Sequence, residues 1–472
     1  MLRHKRRQAL IRLTGVNYGL WDDKEHMTII KKQITQMIRR SLAPFPLLED
    51  RARLVYYCIK NMKHSWSVNE VLDVNTTHKH YRLAEVRQLL VDVSQLVRHD
   101  RQAGIERVVR SVLAELMKNP PSGMIVKPVY ANEFGVFFYA NHFARTFGLG
   151  SEFDEVNSPV NVYADDIFYC PDFYLTFPFE SLKRLKARGL KCIFTIYDII
   201  PIRSPHFFWT VDVLAHFKWF RGVLSVADGI VTDSQTVAND LYGWLMENPN
   251  YRSSNLPIGY FHPGSIISVA KSLEKVDVTT FDVLEKIRQR PTFLMVGTLE
   301  PRKGHAQVIE AVELLWKSGA DISLVIVGKE GWRTHALAAR LAKHAELNHR
   351  LFWLNNASDE SLAALYAGST ALIAASYNEG FGLPLIEAAQ HELPIIARDI
   401  PIFREVAGKH AFYFNGLDAV ALRDAISNWL LLHEKGEAPR SVLISPLTWE
   451  ESAVQLTECI IEDQWYLDWC PV

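Results

Sequence analysis

Three short apolar runs, TFLMVG (292–297), SLVIVG (323–328) and ALIAAS (371–376), alternate with the helical segments AQVIEAVELLWKSG, THALAARLAKHAE and DESLAALYAGS. Runs without a polar alternation fit strands buried on both faces, and strands joined through helices lie parallel. A looser version of the pattern precedes them. It runs through LLVDVSQLV (89–97), the helix IERVVRSVLAELMK (105–118), VNVYA (160–164), CIFTIYDII (192–200) and GIVTDS (229–234). Two such stretches predict an α/β chain of two doubly wound, Rossmann-like domains, with a ligand cleft at the carboxyl ends of their strands. The expected boundaries are a helical basic extension at 1–85, a first domain at 86–265 and a linker at 266–290. A second domain at 291–445 and a C-terminal helix at 446–472 that crosses back complete the set.

Composition narrows the function. A net charge of −1 over 472 residues gives no global attraction to nucleic acid. The cysteines Cys58, Cys170, Cys192, Cys459 and Cys470 are odd in number and lack CxxC spacing, against a zinc site or disulfide framework and in favour of a reducing compartment. No run approaches the roughly 18 apolar residues of a spanning helix. The reading is a cytoplasmic protein. The first fifty residues hold ten Lys/Arg against five Asp/Glu, and IIKKQITQMI has helical apolar spacing. That extension reads either as a peripheral contact with anionic lipid at the inner membrane or as a helical cap on the next domain.

The second stretch carries the chemistry. In SYNEGFGLPLIEA (376–388) a strand passes into a glycine loop and then a helix with Pro384 in its first turn. Open N–H groups at such a helix start attract anions, and Glu379 and Glu387 flank them. An anion site beside two acids fits a ligand with phosphates and hydroxyls, as in a nucleotide sugar. In VGTLEPRKGH (296–305) Arg302 and Lys303 are placed to reach a diphosphate, with Gly304 opening the turn; the alternative is two solvated surface cations. The IVGKEGW loop (326–332) ends a third strand at the same rim, a place for the nucleotide base. Its Lys329 is either a phosphate contact or solvated. In the first domain Asp198 of TIYDIIP either orients a hydroxyl or caps the turn before Pro201. HDRQAGIERVVR has one glycine, Gly104, at the mouth of its helix, too little for a dinucleotide fingerprint. No Asp-x-Asp occurs, so no carboxylate-held metal is expected on a donor diphosphate. His391 and the other histidines form no ligand cluster.

At these residues the sequence resembles the retaining glycosyltransferases of family 4, which have the two-domain GT-B fold. Glu379-x7-Glu387, the GT-x-x-P-R-K-G loop and the strand pattern carry the resemblance over about residues 88–470, most specifically from 290 to 415. VDVSQLVRHDRQAGIERVVR, LVIVGKEGW and RDIPIFREVAGKHAFYF are similar to bacterial GDP-mannose-dependent mannosyltransferases of surface-polysaccharide assembly. The resemblance implies that Arg302 and Lys303 bind the donor diphosphate and that Glu387 binds its ribose. It implies that Glu379 holds the donor sugar with the amides of Gly380, Phe381 and Gly382, in a donor set that extends to Gly297, Leu383 and Lys329. Glu379, Asp198, Arg302 and Lys303 are the expected catalytic group, with Gly104 at the cleft between donor and acceptor. Where many members have His-Asp, this chain has Tyr197-Asp198, which leaves the histidine's role without a counterpart. The implied reaction moves a hexose, mannose from GDP-mannose, to a saccharide or lipid-linked glycan in O-antigen or lipopolysaccharide assembly. No cofactor or metal is expected. The alternatives are another nucleotide sugar (UDP- or dTDP-linked), an epimerase or phosphorylase of the same architecture, and a degenerate scaffold.

Overall fold

The computed structural model describes residues 86–99, 104–148, 157–265 and 276–471. The basic extension at 1–85 lies outside the described residues. In the first domain β1 (Arg87–Asp92), β2 (Met124–Ala131), β3 (Phe137–Tyr139), β4 (Ile167–Cys170), β5 (Lys191–Ile196), β6 (Gly229–Thr232) and β7 (Leu256–Tyr260) form one sheet. The second domain holds β8 (Thr292–Val296), β9 (Ser323–Val327), β10 (Leu351–Leu354), β11 (Ala371–Ala374), β12 (Ile395–Arg398) and β13 (Phe412–Phe414). Their order is β10-β9-β8-β11-β12-β13, with every pairing parallel.

The chain then returns. The helix Trp449–Ile460, started by a capping box between Thr448 and Glu451, packs on the helix Ile105–Lys118 of the first domain. Behind it β14 (Leu467–Trp469) adds antiparallel to β7. The first sheet therefore runs β14-β7-β6-β5-β4-β1-β2-β3, parallel from β7 to β2 and antiparallel at both edges. Both faces are covered. Phe168, Phe194, Phe220 and Trp469 fill one side, and Val108, Val112, Leu116 and Leu456 the other. The apolar spacing of IERVVRSVLAELMK thus buries one stripe of its helix, each buried aliphatic side chain contributing about 1.5–3 kcal/mol.

Several expected segments differ; besides the strand at 192–200, which stops at Ile196, and the C-terminal helix, which stops at Ile460, three stand out. The run at 89–97 is strand only to Asp92, whose carboxylate accepts from the Ser94 amide at 3.0 Å and turns the chain into the short helix Ser94–Arg98. VNVYA (160–164) is not a strand; Val160 and Val162 plug the core, and the strand is the following Ile167–Cys170. The stretch given as linker, 266–290, contains the helix Val278–Ile287, N-capped by Asp277 on the Thr280 amide at 2.9 Å.

Strand order explains where a ligand can sit. Chain direction across the sheet reverses between β1 and β4 in the first domain and between β8 and β11 in the second. Such switch points leave the loops after the two strands diverging around a crevice. In the second domain those loops are 297–304 and 375–382, the two that the sequence singled out.

The returning strand is a structural part of the first domain. Trp469 is fully buried there, so Trp469→Ala is expected to cost about 3–5 kcal/mol. Chemical denaturation followed by Trp fluorescence checks this; an unchanged midpoint would mean that the strand is dispensable.

Candidate active site

The loop after β8 turns through the short helix Pro301–Lys303 and closes at Gly304, whose φ is +79°. A Cβ on Gly304 would lie 2.4 Å from the Ala375 carbonyl oxygen, so only glycine lets the two switch-point loops touch. The Tyr377 amide donates to the Arg302 carbonyl at 2.8 Å. Arg302 Nη1 donates back to the Asn378 carbonyl at 3.1 Å and pairs with Glu379 Oε2 at 2.8 Å. Lys303 Nζ takes Glu379 Oε1, which also accepts from Ser376 Oγ at 2.7 Å. Arg302 further pairs with buried Glu300 at 3.0 Å. Burial alone would raise the Glu379 carboxyl, but the charges of Lys303 and Arg302 overcome it and hold the pKa at about 2. The two cations are therefore not solvated surface groups. They are fixed, nearly buried, on Glu379, a pairing that the sequence reading did not make.

Beyond Glu379 the chain enters the helix Leu383–Gln390 through Gly382, in a left-handed conformation. Among the described residues the N–H groups of Gly380, Phe381, Gly382 and Leu383 meet no acceptor. These amides form an open row of donors at a helix start. The Phe381 side chain faces away into the core, against the His262 ring. Glu387, one turn on, is buried. Its Oε2 accepts from Tyr366 Oη at 2.7 Å and its Oε1 from Arg107 Nη1 at 3.3 Å. Burial raises its pKa, against the Tyr366 hydrogen bond and the Arg107 charge.

Across the cleft Asp198 follows β5. Its Oδ1 accepts from the Ile200 amide at 2.9 Å, so it does cap the turn. It also lines, with Glu379, Asn378 and Arg203, a cavity of about 320 Å³, at the lower end of the range for ligand pockets (about 300–1,000 Å³). Gly297, φ +141°, packs against the Lys303 stem at the start of its loop. Gly104 is exposed at the N-terminus of the helix that carries Arg107. Lys329 is exposed, with no carboxylate partner among the described residues. Its loop docks on the first domain instead: Trp332 Nε1 donates to the Phe207 carbonyl at 3.1 Å, and Arg333 Nη1 to His206 and Phe208 at 2.6 and 2.9 Å.

The sequence reading missed the residues that join the domains here. Ser234 Oγ donates to the Gly380 carbonyl at 2.8 Å. Glu405 accepts from the Gln235 and Thr236 amides at 2.8 and 2.7 Å and so caps a first-domain helix from the second domain. Asp233 lies buried against Gly380, its pKa well raised by burial and by the Asp198 charge. Arg398 donates to the carbonyls of Ala375, Ser376 and Gly416, fixing the far side of the loop. Only the polar residues at strand ends in GIVTDS and IIARD hinted at the last two.

Two sheets with parallel centres facing one cleft, the chain returning from the second domain to the first, define the GT-B fold. Residues 279–441 match the family model described as "Glycosyl transferases group 1". The chain is 41% identical over 379 residues to a serotype-specific mannosyltransferase, WbdA, of Escherichia coli, covering 78% of this chain and 44% of that protein. It is 27% identical over 235 residues to the O-antigen chain mannosyltransferase RfbU of Salmonella typhimurium, covering 50% of this chain and 59% of that one. The chain thus spans less than half the length of WbdA. A sucrose-phosphate synthase from Thermosynechococcus elongatus shares the fold, with a TM-score of 0.54 at 15% identity over 80% of this chain and 98% of that one.

The depressed Glu379 pKa has a stability consequence with a definite sign. A carboxyl whose folded pKa lies near 2, against an ordinary 4.5, stabilises the fold fully above about pH 4.5 and loses that contribution as pH falls toward 2. Glu379→Gln keeps the shape and removes the charge. The melting temperature of the variant is expected below wild type at pH 7, with the gap narrowing as pH drops below 4.5. A gap constant with pH would assign Glu379 a role independent of its charge.

Proposed function

We propose that this chain is a retaining glycosyltransferase moving mannose from GDP-mannose to a saccharide or lipid-linked glycan acceptor, in O-antigen-type polysaccharide assembly. One observation carries the proposal: Glu379, held between Arg302 and Lys303 beside four open amides, with Glu387 a turn further on. The amides and cations suit a diphosphate, and the carboxylates suit sugar hydroxyls. The likeness to mannosyltransferases supports mannose and, with it, GDP as the carrier. Retention rests on the family resemblance alone. The second reading is transfer from another nucleotide sugar, since the relatives' names specify mannose and no base.

In this reading Arg302, Lys303 and the helix start stabilise charge that builds on the leaving diphosphate. Glu379 faces the donor sugar, whose ring gains positive character as its bond breaks. Asp198 closes the other side of the cavity, where an acceptor hydroxyl would approach. Contacts between the domains exclude water and so limit hydrolysis. A degenerate scaffold would have no reason to keep this set of paired charges together.

Among the described residues no three His, Cys, Asp or Glu side chains cluster as metal ligands, and no helix is long and apolar enough to cross a membrane. From the missing Asp-x-Asp we infer metal-independent transfer, and from the excess of basic residues in the first fifty we infer peripheral attachment to the cytoplasmic face of the inner membrane. Each basic residue near an anionic surface adds about 1 kcal/mol.

Transfer from GDP-mannose to a mannose-terminated acceptor, with α configuration by NMR and full activity in EDTA, is the expected outcome. Transfer from UDP- or dTDP-sugars alone would overturn the donor, and loss in EDTA restored by Mn²⁺ would overturn metal independence. Glu387→Ala is expected mainly to raise the donor KM, about tenfold for one charge-assisted hydrogen bond. Glu379→Ala is expected mainly to lower kcat, since a carboxylate facing the sugar ring stabilises the positive character it gains in the transition state. Folded variants with wild-type constants would defeat both assignments. In flotation with anionic liposomes the full chain is expected to bind better than a chain starting near residue 86. Equal binding would give the extension a packing role.

A further inference from the structure

The Arg107 side chain leaves the first domain and ends on two carboxylates of the second. Nη2 lies 2.7 Å from Asp359 Oδ1, and Nη1 lies 3.3 Å from Glu387 Oε1. These partners are unlike: the Asp359 side chain is 73% exposed, that of Glu387 8%. Pairing with the exposed carboxylate adds little, because solvent screens it. The contact with buried Glu387 matters more, yet it is the longer of the two. Glu387 is the acid assigned above to the ribose, and the Lys303 charge reaches it too. Arg107 thus reaches, from the first domain, a carboxylate that also feels the charge of the diphosphate-site Lys303.

The other two cations are less free to respond to a ligand. Arg302 is held by Glu379, Glu300 and a carbonyl, and Lys303 by Glu379, each with side chains about 15% exposed. Arg107 is the cation of this cluster that comes from the first domain, and its one buried partner is the acid assigned to the donor's ribose. Ribose hydroxyls donating to Glu387 Oε1 would take the place of Nη1 and leave a planar guanidinium fork at the mouth of the phosphate site.

Building on the donor-site reading, we propose that Arg107 is a donor-binding residue supplied by the first domain. It exchanges Glu387 for a phosphate oxygen when a nucleoside diphosphate enters, and so draws the cleft closed on the donor. The exchange breaks one ion pair and makes another; no covalent step is involved. The proposal gives a task to the helix after HDRQAG, whose glycine alone could not build a phosphate loop. Because the guanidinium sits on the first domain, the diphosphate becomes a bridge between the two domains.

The test titrates full-length wild type, Arg107→Ala and Asp359→Ala with GDP, UDP, ADP and dTDP, and with the nucleoside matching the tightest of these. The expected result is that Arg107→Ala weakens the diphosphate about ten- to a hundredfold, as for a lost charge-assisted hydrogen bond. It should leave the nucleoside unchanged or tighter, since Glu387 Oε1 is then free. Asp359→Ala should not weaken the diphosphate. Equal loss of diphosphate and nucleoside, no loss of either, or the same loss in Asp359→Ala would make Arg107 a strut and overturn the proposal. Wild type that binds none of the four diphosphates would remove the donor-site reading itself, and this proposal with it.

Discussion

Glu379 is held between Arg302 and Lys303, and the geometry of the second domain's crevice depends on that arrangement. A carboxylate so deeply buried is costly unless paired and hydrogen-bonded, and here three donors converge on its two oxygens. The two cations belong to the loop after β8 and the acid to the loop after β11. Their pairing therefore ties together the segments that the sheet's switch point drives apart. Removing one partner would leave an uncompensated buried charge, so the three act as one unit.

From that unit the rest of the cleft follows. With Glu379 fixed, the chain must turn at Gly380, where a Cβ would lie 2.3 Å from the Tyr197 carbonyl of the first domain. The domains meet at this glycine, and Ser234, Glu405, Arg107 and the 332–333 loop brace the contact around it. The open amides of residues 380–383 lie between the two halves. A ligand there would touch both domains, which is how binding energy can be converted into closure.

Much of this was legible in the sequence. Apolar runs without alternation marked β8, β9 and β11, since central parallel strands carry apolar residues on both faces. The helix at 105–118 could be read to the residue, because five apolar side chains share one stripe and Gly104 opens it. What escaped depends on contacts distant in sequence. β2 contains Lys127 and Pro128, which disguise a strand that tertiary pairing with β1 nevertheless recruits. β14 is three residues long and exists because β7 offers it an edge. Asp92 and Asp198 turned apparent strands into turns by accepting from the amides two residues on, of Ser94 and Ile200. Arg107 and Glu387 are 280 positions apart; no local pattern could pair them. The motif loops were readable because their chemistry is local, and the bracing residues were not because theirs belongs to the interface.

The central claim is that the loops at 297–304 and 376–388 form a nucleoside diphosphate site completed from across the cleft. Hydrogen–deuterium exchange with and without GDP, mapped by peptide, tests it most directly. The account predicts protection in both loops and at 104–110, strongest at the amides of 380–383, which meet no acceptor among the described residues. Protection confined to other parts of the chain, or none at a GDP concentration where binding is measured independently, would contradict it.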